Sequence, residues 1–173
     1  MNFARGHSQV AVSIAFYRAG VAELGVVYNP FTQELFSAQA GQGATLNGET
    51  IHCSGTDELR RALIATGFPY QKNNLGQMIE RLQKVLTHCA DVRRLGSAAL
   101  DICWVACGRL DGYYESVKPW DFAAARLIAL EAGAVAGHYL APPADISPTL
   151  CGDHMLVSNA VLFEAMQSLL TDH

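Results

Sequence analysis

Apolar and polar residues alternate from Gln9 to Tyr17, with Val10, Val12, Ile14 and Phe16 on one face. A period of two predicts a strand. Arg18, Ala19 and Gly20 turn the chain into a second predicted strand, Val21 to Tyr28, which Asn29-Pro30 ends. Glu34 to Ala38 predicts a third. The piece AGQGA, Ala40 to Ala44, is G-x-G without a further glycine or a following helix, so it reads as a turn. Asn47-Gly48 is a hairpin signal between Ala44–Leu46 and Thr50–His52. An antiparallel meander is the expectation for residues 1–55.

From residue 57 the period changes. Asp57 to Ala62 predicts a short helix capped by Thr56 or Asp57, and Leu63 to Thr66 a short strand stopped by Gly67-Phe68-Pro69. Leu75, Met78, Ile79, Leu82, Val85, Leu86 and Cys89 recur at helical spacing, with Glu80, Arg81 and Lys84 on the other face. Asp91 to Leu95 reads as a strand. Ala99, Ile102, Val105 and Ala106 mark a helix that opens at Gly96-Ser97 and closes at Gly108. Leu110 to Glu115 reads as an aromatic strand, and Asp121 to Gly133 as a helix. Val135–Leu140 and Met155–Val157 predict strands. Ser158 or Asn159 caps a last helix whose Leu162, Phe163, Met166, Leu169 and Leu170 face inward. Helices alternating with strands over residues 56–173 predict an α/β lobe beside the first meander.

Composition narrows the class. Apolar residues make up 50% and charged residues 16% of the 173. So little charge implies a large buried core, and some surface covered by a partner or by further chain. The net charge of −4 comes without a basic stripe, so nucleic acid is not indicated as a direct ligand. Five cysteines lack zinc spacing. Cys103 and Cys107, four apart on a predicted helix, read as small apolar side chains, and reduced cytoplasmic thiols are expected. No signal peptide or membrane-crossing run is read from the sequence.

The stretch Arg94 to Asp121 gathers a helix start at Gly96-Ser97, a carboxylate at the end of a strand, Glu115, and another at a helix start, Asp121. Unpaired N–H groups at a helix start attract anions, and carboxylates hold hard cations such as Mg²⁺. Ser97 and Asp121 are equally the residue types that cap helices. Asp101 reads as a solvated carboxylate on the polar side of its helix. Asp111-Gly112 reads as a turn, and Trp120 as a ring packed beneath the Asp121 helix, with a place bordering the substrate as the alternative. The histidines at 7, 52, 88, 138, 154 and 173 show no ligand spacing. Asp153-His154 reads as a loop.

Trp120-Asp121-Phe122-Ala123-Ala124-Ala125, followed by Glu131-Ala132-Gly133-Ala134, resembles the inositol monophosphatase signature W-D-x-A-A-G-x-x-x-x-x-E-A-G-G, with alanine for glycine at 125 and 134. The R-x-G-S-A-A-L and D-G-Y-Y-E segments match the same family. Asn2-Phe3 resembles the tail of its first signature, D-P-x-D-G-T-x-N-F. The resemblance implies a layered α/β (α+β) sandwich and hydrolysis of a small-molecule phosphate monoester, such as inositol monophosphate, by Mg²⁺-activated water. Fructose bisphosphate, histidinol phosphate and nucleotide 3′-phosphate are other substrates it allows. By residue matching it implies that Gly96, Ser97, Ala98 and Glu115 meet substrate and that Asp121 binds metal. It implies a homodimer. It also implies that most metal ligands precede Met1, so that this chain is an impaired enzyme or a catalytically silent binding module. The link ESVKPWD is one residue shorter than the usual family spacing.

Overall fold

The computed structural model describes residues 1–68 and 75–171; Pro69 and His173 lie outside them. The first sheet is the predicted meander. It contains β1 (Val12–Arg18), β2 (Val21–Asn29), β3 (Glu34–Gln39), β4 (Ala44–Leu46) and β5 (Glu49–Thr50), antiparallel and in chain order. Its register pairs Ile14 with Val26 and Val26 with Ser37, so one face alternates inward and the other outward. The inward face carries Val27, Phe36 and Ala38 into the core. On the outward face Val12, Ile14, Phe16, Leu24 and Leu35 remain exposed.

The second sheet has the order β7-β6-β8-β10-β9. It is built from β6 (Leu63–Thr66), β7 (Asp91–Arg93), β8 (Gly112–Glu115), β9 (Ala134–His138) and β10 (Met155–Asn159). Strand β6 runs parallel to β7 and β8, whereas β10 is antiparallel to β8 and β9. Four α-helices complete the described chain: α1 (Leu75–His88), α2 (Ala98–Ala106), α3 (Pro119–Glu131) and α4 (Phe163–Thr171). Helices α2 and α3 pack on each other. They touch β2 on one side and the second sheet on the other, while α1 and α4 pair near β7 and β10. The layers therefore run sheet, helices, sheet, helices, which is the expected α/β sandwich.

A helix between two sheets has no solvent side, and the sequence of α2 says so. Ala99, Leu100, Ile102, Cys103, Val105 and Ala106 are all buried, so the apolar positions cover the whole circumference rather than one stripe. In α3, Phe122, Ala124, Ala125, Leu127, Ile128 and Ala129 are buried, while the stripe of Pro119, Ala123, Arg126 and Leu130 stays partly open. Small residues set the spacing. A Cβ at Gly25 of β2 would lie 2.7 Å from the Ala124 carbonyl oxygen, so the helix sits directly on the strand backbone. Glu131, near the end of α3, ties the glycine turn to this layer. Its two carboxylate oxygens accept the Gly41 and Gly43 amides at 2.8 Å each.

Three expectations need correction. Residues 57–62 form only a single 3₁₀ turn, Leu59–Arg61, whose flanking residues Glu58 and Ala62 are extended; no side chain caps it. The apolar stripe of α1 is only partly covered. Val85 is buried, but Leu75, Ile79 and Leu86 are exposed, because α1 meets little beyond α4 and β7. Asp111 is not a surface turn residue. It is buried, accepts the Ser54 hydroxyl at 2.6 Å and the Leu63 amide at 2.7 Å, and so fastens the start of β6 beside β8. The predicted cap of α4 is present, with the Asn159 side chain accepting the Leu162 amide at 2.9 Å.

Gly25→Ala is expected to force β2 off α3 and to cost about 1–3 kcal/mol. Urea unfolding measures this, and an unchanged midpoint would contradict the close contact.

Candidate functional site

The site begins with the turn into α2. Gly96 has φ +83°, a conformation only glycine adopts freely, and a Cβ there would lie 2.7 Å from Arg94 Nη1 and 3.2 Å from Asn2 Nδ2. Asn2 holds this turn from the other end of the chain. Its Nδ2 donates to the Leu95 carbonyl at 2.9 Å and to the Gln9 carbonyl at 2.9 Å. Ser97 occupies the N-cap position of α2, but its side chain makes no capping hydrogen bond. The first amides of a nearly buried helix are thus left uncapped by Ser97, and Gly96, Ser97, Ala98 and Ala99 line a pocket.

Glu115 ends β8. Its Oε2 accepts the Tyr113 hydroxyl at 2.7 Å, and the absent side chain of Gly67 makes its room, since a Cβ at Gly67 would sit 2.1 Å from that oxygen. Burial raises the Glu115 pKa most, the Tyr113 hydrogen bond and Arg94 lower it, and Asp121 raises it; the net direction is upward. Asp121 does not cap its helix from the N-cap position. Helix α3 starts at Pro119, so Asp121 is its third residue, and its Oδ2 accepts the Lys118 amide at 3.0 Å. Among the described residues, nothing hydrogen-bonds its other carboxylate oxygen.

These groups meet in one cleft of about 1110 Å³, whose walls include Gly96, Ala98, Glu115 and Asp121. A smaller adjoining pocket of about 250 Å³ adds Ser97, with Gly96, Ala98 and Asp121 again in its wall. Every residue predicted to meet substrate or metal is therefore in one place.

Two predicted positions are overturned. Trp120 does not pack beneath α3. It is 72% exposed and stands at the rim of both pockets, because Pro119 and Trp120 form the first turn of the helix and point away from the core. Asp101 is not solvated. It is 1% exposed and lines the cleft, and its Oδ1 is buried without a hydrogen-bond partner. Burial, with a smaller contribution from Glu115 and against the pull of Arg94, pushes its pKa up to about 8. The spacing of α2 hid this, since a helix with no solvent face has no polar side for Asp101 to occupy.

The far wall of the cleft was not legible in the sequence. The Arg81 guanidinium lies over the Tyr139 ring at 5.2 Å, and the Tyr139 hydroxyl meets His154 Nδ1 at 3.2 Å. His154 holds a left-handed φ of +54°. These three residues come from α1, the end of β9 and the loop before β10, and no local motif links them.

Chemically, the cleft offers backbone donors for an anion, a carboxylate acceptor for hydroxyls and one carboxylate for a cation. A Mg²⁺ ion needs more than that. Among the described residues no group of three or more His, Cys, Asp or Glu side chains is placed to hold a metal, so these residues alone do not fit one. Among the described residues, no helix is long and apolar enough to cross a membrane.

The sequence model of the inositol monophosphatase family matches residues 1–162. The chain belongs to the inositol monophosphatase family. Among curated relatives it is 48% identical over 136 residues to the Nus factor SuhB of Vibrio cholerae, covering 78% of this chain and 51% of that protein. It is 44% identical over 153 residues to an inositol-1-monophosphatase of Synechocystis, covering 84% and 52%. Among solved structures, the extragenic suppressor protein suhB of Bartonella henselae superposes with a TM-score of 0.88 at 32% identity, covering 99% of this chain and 65% of that one. An inositol monophosphatase from Anabaena superposes at 0.86 with 36% identity, covering 98% and 66%. The chain spans about half the length of the curated relatives it matches.

Asp101 carries a pH prediction for the fold. Its folded pKa of about 8 exceeds the usual carboxyl value, so the folded state keeps a proton that the unfolded chain loses. Its contribution to stability falls as pH rises from about 4 to 8 and is level above that. Asp101→Asn is expected to flatten that part of the stability profile by at least about 1 kcal/mol, measured by urea unfolding across the range. An unchanged slope would place the carboxylate in solvent.

Proposed function

We propose that this chain is of a Mg²⁺-dependent phosphomonoesterase lineage acting on inositol monophosphate or a related polyol or sugar phosphate, with its activity impaired in these 173 residues alone. The observation that carries the reading is the meeting of the Gly96-Ser97-Ala98 turn, Glu115 and Asp121 in one cleft of a chain of this family. The start of α2 holds the phosphate through its free amides and the Ser97 hydroxyl. Glu115 accepts hydrogen bonds from substrate hydroxyls. Asp121 gives one carboxylate to the cation. With Asp121 as one of its ligands, Mg²⁺ would supply an activated water and charge neutralisation on the leaving oxygen.

The protein of this reading is cytoplasmic and homodimeric. The exposed apolar side chains on the outer face of β1 to β3 support self-association. Fructose bisphosphate, histidinol phosphate and nucleotide 3′-phosphate fit the same cleft chemistry.

A second reading rests on the relatives named Nus factor SuhB. In it the chain is catalytically silent and serves as a binding or assembly module. Phosphate release from inositol 1-phosphate separates the two. The 173-residue chain is expected to turn over slowly or not at all. The same chain joined to the preceding segment of a curated relative is expected to turn over with Mg²⁺, stop with EDTA, and lose at least about 100-fold in rate on Asp121→Asn. A joined protein that is silent would favour the second reading, and an active one whose rate survives that substitution would rule out Asp121 as a metal ligand.

A further inference from the structure

The cleft wall built by Arg81, Tyr139 and His154 has no place in the chemistry described so far. Arg81 is partly buried and lines the cleft, and among the described residues no carboxylate forms an ion pair with it. A partly buried cation without a counter-ion, set in a cleft wall, is most simply completed by an anion that the cleft binds. We propose that Arg81 is a specificity-determining residue that receives a second phosphate, on a ligand whose first phosphate rests at the start of α2.

The side chain is set in place before any ligand arrives. Its Nε donates to the Leu170 carbonyl at 3.2 Å, and its guanidinium lies over the Tyr139 ring at 5.2 Å. Tyr139 is itself fixed. It is 5% exposed, it meets Tyr114 edge-on with ring centroids 6.3 Å apart, and its hydroxyl lies 3.2 Å from His154 Nδ1. A guanidinium carries five N–H donors in a planar fork. With Nε spent on Leu170, the terminal nitrogens keep donors whose geometry matches phosphate oxygens. A cation already held by a ring and a carbonyl loses little freedom when it binds.

The topology keeps this seat apart from the first. Glu115, ending β8, pairs with Met155 of β10, and Met155 pairs with His138 of β9. His154 directly precedes Met155 and Tyr139 directly follows His138, so their wall continues the same sheet end beyond Glu115. Two strand spacings, roughly 10 Å, part the ends of β8 and β9. The seats also belong to opposite faces of the second sheet. Ala99 and Leu100 of α2 pack in one core cluster, whereas Tyr114 and Tyr139 pack in the other, with Val85 of α1 and Met166 of α4. Yet Gly96, Glu115 and Arg81 all line one cleft. A ligand that reaches both seats crosses the sheet end over Glu115 and is anionic at each end. A sugar with a phosphate at both ends of its chain has that form, and a monophosphate does not. This deepens the phosphomonoesterase reading and rests on it for the first phosphate. Among the ligands which that reading allows, it selects those with two phosphates.

The test uses the 173-residue chain with fructose 1,6-bisphosphate and fructose 1-phosphate, which differ only in the second phosphate, and follows both affinities by calorimetry. Wild type is expected to bind the bisphosphate at least about tenfold more tightly, as a gained charge-assisted hydrogen bond allows. Arg81→Gln is expected to bring the two affinities within about twofold by weakening the bisphosphate. Nitrogen-15 NMR of the arginine side chains gives a second readout on the unaltered chain. The Arg81 Nε–H resonance is expected to shift with the bisphosphate and to stay in place with fructose 1-phosphate. Equal affinities in wild type, a preference that survives Arg81→Gln, an equal loss for both ligands in that variant, or no binding of either ligand by wild type would each overturn the proposal. The phosphatase reading fails elsewhere, in phosphate release by the joined protein and its response to Asp121→Asn, neither of which reads Arg81.

Discussion

The contact between β2 and α3 at Gly25 and Ala124 is the constraint on which the other features depend. A helix can lie on a strand backbone only where neither carries a bulky side chain, and here a glycine faces a run of three alanines, Ala123 to Ala125. The close seat draws the first sheet onto the helical layer, and the second sheet closes the other side. Helices α2 and α3 then have no freedom to slide, because nearly every residue of α2 is buried. Their N-termini consequently border the same two pockets. The functional groups are few, and what makes them a site is that the packed layer holds them together.

Local devices then refine each group. Asn2 reaches back to the Leu95 carbonyl and holds the Gly96 turn, so residues 93 apart in the chain meet once the sheet and helices have packed. Gly67 makes room for the Glu115 carboxylate, and Tyr113 orients it. Glu131 binds the two amides of the glycine turn at the opposite end of α3. Its position in the family signature thus has a structural cause: it anchors a sheet turn to a helix end, away from the cleft.

Most of the fold was legible because its periods are clean. The alternation in β1 to β3, the Asn47-Gly48 hairpin and the Gly108 stop are local signals, and each element formed close to where they placed it. The site residues were legible through longer motifs, since Gly96, Ser97, Glu115 and Asp121 stand in segments whose types and spacing match a family. Apart from the helix expected at 57–62, which is a single 3₁₀ turn, what failed were inferences about which side of an element faces water. Asp101 was read as solvated and Trp120 as covered, and both were reversed. A polar residue in a helix normally marks its wet face, but α2 has none. A tryptophan normally seeks cover, but the first turn of α3 overhangs the cleft. The Arg81, Tyr139 and His154 wall was invisible because three distant segments build it.

The central claim is that the first amides of α2 form the anion seat of the cleft. Amide NMR of the chain titrated with inorganic phosphate tests it most directly. The account predicts saturable shifts concentrated at Gly96, Ser97, Ala98 and Ala99, with smaller ones at Glu115 and Asp121. Saturable shifts centred elsewhere, with the turn into α2 unmoved, would contradict it.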